Sequence, residues 1–312
     1  MSENTMEAIF LPIVGLVLVC MFLLPGCARA QAQQQDIWRE VTLGSVPVED
    51  GTMEYCRFGQ GEKTLVILPG LGIQSVMLSA QAIAQAYEQI ARTHTVYVFE
   101  RRNPLPQTCS VPDTARDTAR ALEAIGLEHV CLMGASYGGM VAMTLAIEAP
   151  ERVDKLVLAA TSANVTREEY RVIENWIRLA ESGDAAALVL AFGEALYPRE
   201  TAEQLRESMI DAARTVTQED LRRFIILARG IRGFDVQAQL ERIACPVLAV
   251  GDLQDHVLGP EGIRNIAQRL RDRPGFECIM YDGYGHAVYD LAPDFKERIC
   301  RFLSQPEQEG KN

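Results

Sequence analysis

A serine flanked by small residues is the feature of this sequence that most directly indicates chemistry. The segment Gly134-Ala135-Ser136-Tyr137-Gly138-Gly139 follows an apolar run at residues 130–133 and precedes a long apolar stretch with helical periodicity. So tight a turn strains the backbone of its central residue, and glycine neighbours let strand and helix approach closely. The Ser136 hydroxyl would then project from the end of the strand as a nucleophile. The alternative is a glycine-rich turn whose serine only forms hydrogen bonds.

The elements around this turn alternate between strand and helix. β-branched runs occur at residues 64–68, 96–100, 130–133, 153–160, 247–250 and 276–281, and helical patterns at 75–91, 113–125, 137–149 and 291–303. This alternation predicts a mostly parallel sheet flanked by helices, preceded by an antiparallel hairpin within residues 40–58. Residues 162–235 contain only helical patterns, at 168–181, 184–196 and 203–213. An all-helical insertion at this place predicts a cap over a substrate pocket.

The order of elements, together with a G-x-S-x-G turn between strand and helix, resembles the α/β-hydrolase superfamily. The resemblance covers nearly all of residues 40–303. It implies an α/β-hydrolase fold in which Ser136 is the nucleophile. It also implies that an acid and then a histidine follow the serine along the chain.

Four histidines compete for the role of general base. His94 and His129 precede strands and are expected at the opposite edge of the sheet, as surface or packing residues. His256 comes too early in the order that the resemblance implies. His286 follows Gly285 beyond the last predicted strand, so we assign it as the base that takes the serine proton.

Two aspartates, Asp252 and Asp255, follow the next-to-last predicted strand. The family's usual spacing would place the acid at Gln254, so neither aspartate fits it. Asp255 is one residue late but is followed by His256-Val257, which resembles the family's ending. Asp252 adjoins the strand, where the family often carries a non-catalytic acid. We predict Asp255 as the acid that orients His286, with Asp252 as the alternative.

The resemblance also implies two backbone N–H groups that bind the oxyanion. One belongs to Tyr137, the residue after the nucleophile. The other is predicted at Leu71, within Pro69-Gly70-Leu71-Gly72, where Pro69 replaces the usual histidine of the family's loop.

Composition excludes several classes of function. The 312 residues carry 30 Lys plus Arg against 42 Asp plus Glu, a net charge of −12, with no basic run for a nucleic acid. There is no nucleotide-binding or zinc motif, and the cysteine spacing fits no metal site, so we expect neither cofactor nor metal. Cys131 and Cys278 lie in apolar runs and are expected to be buried thiols. Nothing in the sequence indicates an oligomeric state.

Residues 1–35 are predicted to be a signal or anchor segment with a linker, ahead of a domain at 36–304 and a polar tail at 305–312. Residues 9–24 are almost wholly apolar and lead into Leu24-Pro25-Gly26-Cys27. This ending resembles a bacterial lipoprotein signal with Cys27 as the lipidated residue. An uncleaved membrane helix and a fortuitous apolar terminus remain alternatives. The first two place the domain at the cell membrane, outside the cytoplasm.

The sequence therefore predicts a serine hydrolase that cleaves an ester or related acyl bond of a small to medium, partly apolar molecule. Within the same family, a thioesterase, a lactonase or a carbon–carbon bond hydrolase is an alternative. A non-catalytic ligand-binding protein on this fold is the alternative from another class.

Overall fold

The computed structural model describes residues 40–306. The predicted signal or anchor segment, including Cys27, and the end of the polar tail lie outside these residues. Within them, no helix is both long and apolar enough to cross a membrane.

Eight strands form one sheet in the order β1-β2-β4-β3-β5-β6-β7-β8. β2 is antiparallel to both of its neighbours, and all other pairs are parallel. The mostly parallel sheet and its leading hairpin are thus as predicted. The strands are β1 (Thr42–Val48), β2 (Gly51–Phe58), β3 (Lys63–Leu68), β4 (His94–Phe99), β5 (Val130–Ala135), β6 (Val153–Ala159), β7 (Val247–Asp252) and β8 (Phe276–Tyr281).

Eleven α-helices occur within residues 40–306. They are α1 (Ala80–Ala86), α2 (Glu88–Ala91), α3 (Val111–Ala124), α4 (Tyr137–Glu148), α5 (Tyr170–Glu181), α6 (Ala185–Leu196), α7 (Arg199–Ala213), α8 (Gln218–Gly230), α9 (Gly259–Leu270), α10 (Val288–Leu291) and α11 (Phe295–Ser304).

The two faces of the sheet carry separate hydrophobic cores because successive strand side chains point to opposite faces. In β3, Val66 and Leu68 belong to one core, which also contains buried residues of α3, α4, α9 and the inserted helices. Leu65 and Ile67 belong to the other, which contains α1, α2 and α11. The helices thus cover both faces of the sheet and leave the ends of the strands for the loops.

The insertion between β6 and β7 consists of α5–α8. Its two ends are joined where the Val165 N–H donates to the Phe234 carbonyl at 2.9 Å and the Val236 N–H to the Ala163 carbonyl at 2.7 Å. Helices α5, α6 and α7 were predicted from the sequence, whereas α8 was not, although a capping box marks its start. The Thr217 side chain accepts from the Asp220 N–H, and the Asp220 carboxylate accepts from the Thr217 N–H.

Two helices predicted as continuous are interrupted. The predicted helix at 75–91 is a 3-10 turn followed by α1 and α2, and it breaks at Tyr87, whose side chain turns into the core with backbone angles of φ −101° and ψ 16°. The predicted helix at 291–303 breaks between α10 and α11. Pro293 disfavours helical geometry at the preceding Ala292, which is extended with ψ 120°.

One helix, α9, was not predicted, and one further expectation was wrong. Cys278 is exposed, whereas Cys131 is buried as expected. The difference arises because Cys278 lies on β8, an edge strand of the sheet.

Candidate active site

Ser136 lies on a strained turn between β5 and α4. Its backbone has φ 51° and ψ −121°, a region that residues with a side chain rarely occupy and that costs about 1–3 kcal/mol. Hydrogen bonds hold it there. Its N–H donates to the Ala159 carbonyl at 2.9 Å, and its carbonyl accepts from the Thr161 hydroxyl at 2.7 Å. The side chain remains partly exposed, so the fold presents this hydroxyl rather than burying it.

Two glycines make the turn possible. A Cβ on Gly138 would collide with the backbone carbonyl of Leu68, at the end of the neighbouring strand β3. A Cβ on Gly134 would collide with the Gly138 carbonyl. The absence of both side chains lets α4 start directly against the strand ends, as the sequence analysis predicted from the G-x-S-x-G pattern.

His286 and Asp255 form a buried pair on the loops that follow β8 and β7. The His286 Nδ1 lies 2.8 Å from Asp255 Oδ2, and both side chains are buried. The other carboxylate oxygen, Oδ1, accepts from the N–H groups of Val257 at 2.8 Å and Leu258 at 3.1 Å. Burial alone would raise the pKa of Asp255, but attraction to His286 and these hydrogen bonds outweigh it and hold the pKa below its ordinary value.

Asp252 does not contact the histidine ring. Its buried carboxylate accepts from the Gln254 N–H at 2.8 Å and from the Tyr284 N–H at 2.9 Å, with a longer contact to the Gly283 N–H at 3.4 Å. Asp252 therefore ties the loop after β7 to the loop that carries His286. Of the two candidate acids, the one on the ring is Asp255.

The predicted oxyanion loop lies directly against the nucleophile. A Cβ built on Gly70 would be 3.4 Å from the Ser136 Cβ and 4.0 Å from its Oγ, so any side chain there would occupy the space in front of the hydroxyl. Leu71 follows in the same loop. Tyr137 begins α4, where first-turn N–H groups have no acceptor within the helix and the helix dipole favours negative charge.

Arg101, which the sequence analysis did not single out, braces this loop. Its buried guanidinium donates to the carbonyls of Pro69 and Gly70, the latter at 2.7 Å, and lies 5.1 Å from the centre of the Tyr137 ring. One side chain therefore contacts the segments that carry both predicted oxyanion donors. Charged residues directly after the apolar strand β4 were the signal that could have identified it.

Glu100 links the brace to the cap. Its carboxylate accepts from the N–H groups of Val76 and Arg101, both at 2.7 Å. It also lies 3.5 Å from the guanidinium of Arg223, on the cap helix α8. Arg101, which braces the oxyanion loop, and the cap helix α8 thus share one buried carboxylate.

A cavity that is partly open to solvent lies beside these residues. Gly70 and Leu71 of the oxyanion loop, Ala135 next to the nucleophile, Leu196 of the cap and Tyr289 after His286 line part of its wall. Most of the lining is apolar. The Tyr289 ring also packs edge-on against the His286 ring, with centroids 6.5 Å apart, so two residues of the wall, Ala135 and Tyr289, adjoin the nucleophile and the base.

The Ser136 hydroxyl forms no hydrogen bond with His286 in the described part of the chain. Such bonds are often long without substrate and tighten when it binds. The remaining histidines lie apart from the pair. His94 is buried at the start of β4, His129 is exposed beside Asp154, and His256 is exposed near Gly285. Between residues 40 and 306, no cluster of side chains could hold a metal ion.

Comparison with known families agrees with this architecture. The sequence matches the family model described as "alpha/beta hydrolase fold" over residues 63–293. The match includes all five predicted site residues and the cap. It confirms the predicted α/β-hydrolase fold.

Individual relatives are more distant. The RutD protein of Agrobacterium fabrum, named as a candidate carbamate hydrolase, is 27% identical over 254 residues, covering 78% of this chain and 94% of the relative. The hydrolase MGS-M2, from a Medee basin deep-sea metagenome library, superposes with a TM-score of 0.76 at 18% identity, covering 86% of this chain and 100% of its own. The enol-lactonase of Burkholderia xenovorans superposes with a TM-score of 0.72 at 16% identity, covering 84% and 100%. At these identities the structural matches establish the fold alone.

Proposed function

This chain belongs to the α/β-hydrolase family, and from that premise we propose that it is a serine hydrolase acting on an ester or related acyl bond through an acyl-Ser136 intermediate. The observation that carries the proposal is the buried 2.8 Å contact between Asp255 and His286. A buried acid on the ring of a histidine, at the same sheet edge as a strained serine, is the arrangement that nucleophilic acyl transfer needs.

In the proposed mechanism, His286 takes the proton of the Ser136 hydroxyl while the oxygen attacks the acyl carbonyl. Because Asp255 accepts a hydrogen bond from Nδ1–H, Nε2 is left free to accept that proton, and the carboxylate stabilises the imidazolium that results. The N–H groups of Tyr137 and Leu71 stabilise the oxyanion. His286 then protonates the leaving group, and water releases the acyl group by the same steps in reverse.

The cavity supports a small to medium, partly apolar substrate. Its lining is mostly apolar around a few polar groups, which is typical of a pocket that binds an acyl chain and orients it. We expect the full-length chain to hydrolyse p-nitrophenyl esters with an optimum at a short or medium acyl length. A panel that adds a thioester, a lactone and a carbon–carbon substrate would separate the alternatives within the family.

Ser136→Ala is the variant that tests this proposal. It should lower kcat on the best substrate by about 10⁴-fold or more while the protein stays folded, because only the nucleophilic oxygen is removed. Thr144→Ala is a matched control, since its buried hydroxyl only bonds the preceding turn of α4 through the Met140 carbonyl. Substrate binding without turnover in the wild-type chain would instead favour a non-catalytic ligand-binding protein.

A second candidate is hydrolysis of a carbamate. It is supported by the likeness to RutD proteins, which extends over 94% of the Agrobacterium relative. A carbamate would pass through a carbamoyl-Ser136 intermediate, which is more stable than an ester-derived one. With a p-nitrophenyl carbamate, a burst of p-nitrophenol followed by slow turnover would mean that the carbamate inhibits the enzyme. Fast steady-state turnover would favour a carbamate as the natural class of substrate.

We also propose that the first 27 residues attach the protein to a membrane with the catalytic domain outside the cytoplasm. The support is the apolar run at residues 9–24 and the lipoprotein-like ending at Cys27. Cys27→Ser should abolish lipid attachment. A membrane fraction that is unchanged, with no lipid on the wild-type chain, would favour an uncleaved helix.

A further inference from the structure

One oxygen of a carboxyl group in the cavity wall forms no hydrogen bond with residues 40–306. Asp290 lies on α10, four residues after His286, and contributes to the cavity wall. Its Oδ2 is buried and forms no hydrogen bond in the described part of the chain. Buried polar atoms are normally hydrogen-bonded, and an orphaned carboxylate oxygen is costly to keep. The place of Asp290 in the first turn of α10 and the attraction of the Lys296 ammonium favour a carboxylate here, but neither supplies a hydrogen bond to Oδ2.

The polar groups nearest to Asp290 are engaged elsewhere. The ammonium of Lys296, on α11, donates to the backbone carbonyls of Tyr289 at 2.6 Å and Asp290 at 3.3 Å, and no ion pair joins it to the carboxylate. The Tyr87 hydroxyl contacts the Met133 sulfur at 3.7 Å. A donor for the carboxylate must therefore come from the cavity.

The other charged side chains of the cavity wall bind one another or the backbone. Glu100 accepts from two backbone N–H groups and faces Arg223, while Arg101 donates to the carbonyls of the oxyanion loop. Among the described residues of the lining, two charged groups keep a buried atom without a hydrogen bond, the Nε of Arg223 and the Oδ2 of Asp290. Of these two, Asp290 is the one that can accept a hydrogen bond from a ligand.

We propose that Asp290 is a specificity residue that accepts a hydrogen bond from a neutral N–H or O–H group on the acyl portion of the substrate. The inference deepens the proposed function and depends on it. A neutral donor fits better than a cation because Arg101, Arg223 and Lys296 already outnumber the carboxylates of Glu100 and Asp290. An amide or hydroxyl group would supply the missing hydrogen bond without adding charge.

Burial without a donor also raises the pKa of Asp290 to about 7, with the nearby Lys296 ammonium opposing the shift. This is the behaviour of a carboxyl group that water solvates poorly. A hydrogen bond from the substrate would therefore stabilise a carboxylate that solvent stabilises poorly. Substrates that carry the donor would be favoured over substrates that lack it.

The test uses pairs of p-nitrophenyl esters that differ in one group. N-acetyl-β-alanine ester carries an amide N–H where the 5-oxohexanoate ester carries a CH₂ of similar size. Homologous pairs with one to four methylenes between this group and the ester carbonyl vary its reach into the cavity. For the wild-type chain we expect kcat/KM to favour the amide by about 10- to 100-fold at one length, the value of a hydrogen bond to a charged acceptor.

Asp290→Leu should reduce this preference to about 1, because the acceptor is gone. Asp290→Asn should retain part of it through its amide oxygen, which provides a second variant if the leucine protein folds poorly. Asp294→Asn is the matched control, since this half-buried carboxylate pairs with Arg298 outside the cavity, and it should keep the full preference.

If the wild-type chain hydrolysed the amide and ketone esters equally at every length, the proposed role of Asp290 would be wrong. The proposed hydrolase function would still stand. The same conclusion would follow from a preference that persists in Asp290→Leu. If no ester in either series is hydrolysed and Ser136 reacts with no acylating probe, the proposed function itself fails, and the Asp290 inference fails with it.

Discussion

Replacing Asp290 by Asn should stabilise the protein at alkaline pH and have little effect at pH 4. Asp290 is partly exposed because it faces the cavity, yet its Oδ2 is buried without a partner, and its pKa is raised from 3.8 to about 7. The causes are burial first, with the Lys296 ammonium acting in the opposite direction. Tyr87 and Tyr289, both neutral in this pH range, are the other titratable groups beside it.

The sign follows from proton uptake. Between pH 4 and 7 the folded protein keeps a proton on Asp290 that the unfolded chain has released, so the free energy of unfolding falls as pH rises through this range. A shift of about three pKa units corresponds to at most about 4 kcal/mol. Because Asp290 is partly exposed, solvent screens part of this effect, and we expect about 2–4 kcal/mol at pH 8.

Chemical denaturation of both proteins from pH 4 to 8 measures this effect. The difference in unfolding free energy between Asp290→Asn and wild type should grow from near zero at pH 4 and level off above pH 7. Asp294→Asn is the control of opposite sign, because bonds to Tyr281 and Arg298 lower the pKa of Asp294. A difference for Asp290→Asn that is the same at every pH would refute the reasoning.

Three further predictions concern catalysis. In Asp255→Asn the amide oxygen must accept from the two loop N–H groups, so its NH₂ faces His286 and imposes the wrong tautomer; kcat should fall by about 10⁴-fold. Asp252→Asn should lower the melting temperature, and it should lower kcat much less than Asp255→Asn does. If Asp252→Asn caused the larger loss of kcat, Asp252 would be the acid that orients His286. Arg101→Met should lower kcat by about 10- to 100-fold with little change in KM, because it loosens the oxyanion loop, and an unchanged kcat would contradict the bracing role.

The fold could be predicted from the sequence because its signals are local and repeated. Strand runs separated by helical periodicity specify a parallel sheet, and the glycines around Ser136 specify a turn that only small residues allow. The helix breaks were less accessible. Pro293 was a readable signal for the second break, whereas the break at Tyr87 depends on a side chain turning into the core, which local sequence does not report.

The site was predictable where chain order constrains it and not where tertiary packing does. The order of serine, acid and histidine along the chain led to Ser136 and His286, and the choice of Asp255 over Asp252 agrees with the ring contact, although its catalytic role stays a prediction. Arg101 and Asp290 were missed because their importance comes from residues distant in sequence, such as the Pro69 loop that Arg101 contacts across the sheet edge. No motif encodes such a contact.

The most direct test of the central claim is covalent labelling of the full-length chain with a fluorophosphonate, read by intact mass and peptide mapping. The account predicts one adduct per chain, on Ser136, formed rapidly in wild type and at least about 10³-fold more slowly in Asp255→Asn, because the nucleophile needs the oriented base. Absence of an adduct, or an adduct on another residue with Ser136 unmodified, would contradict it.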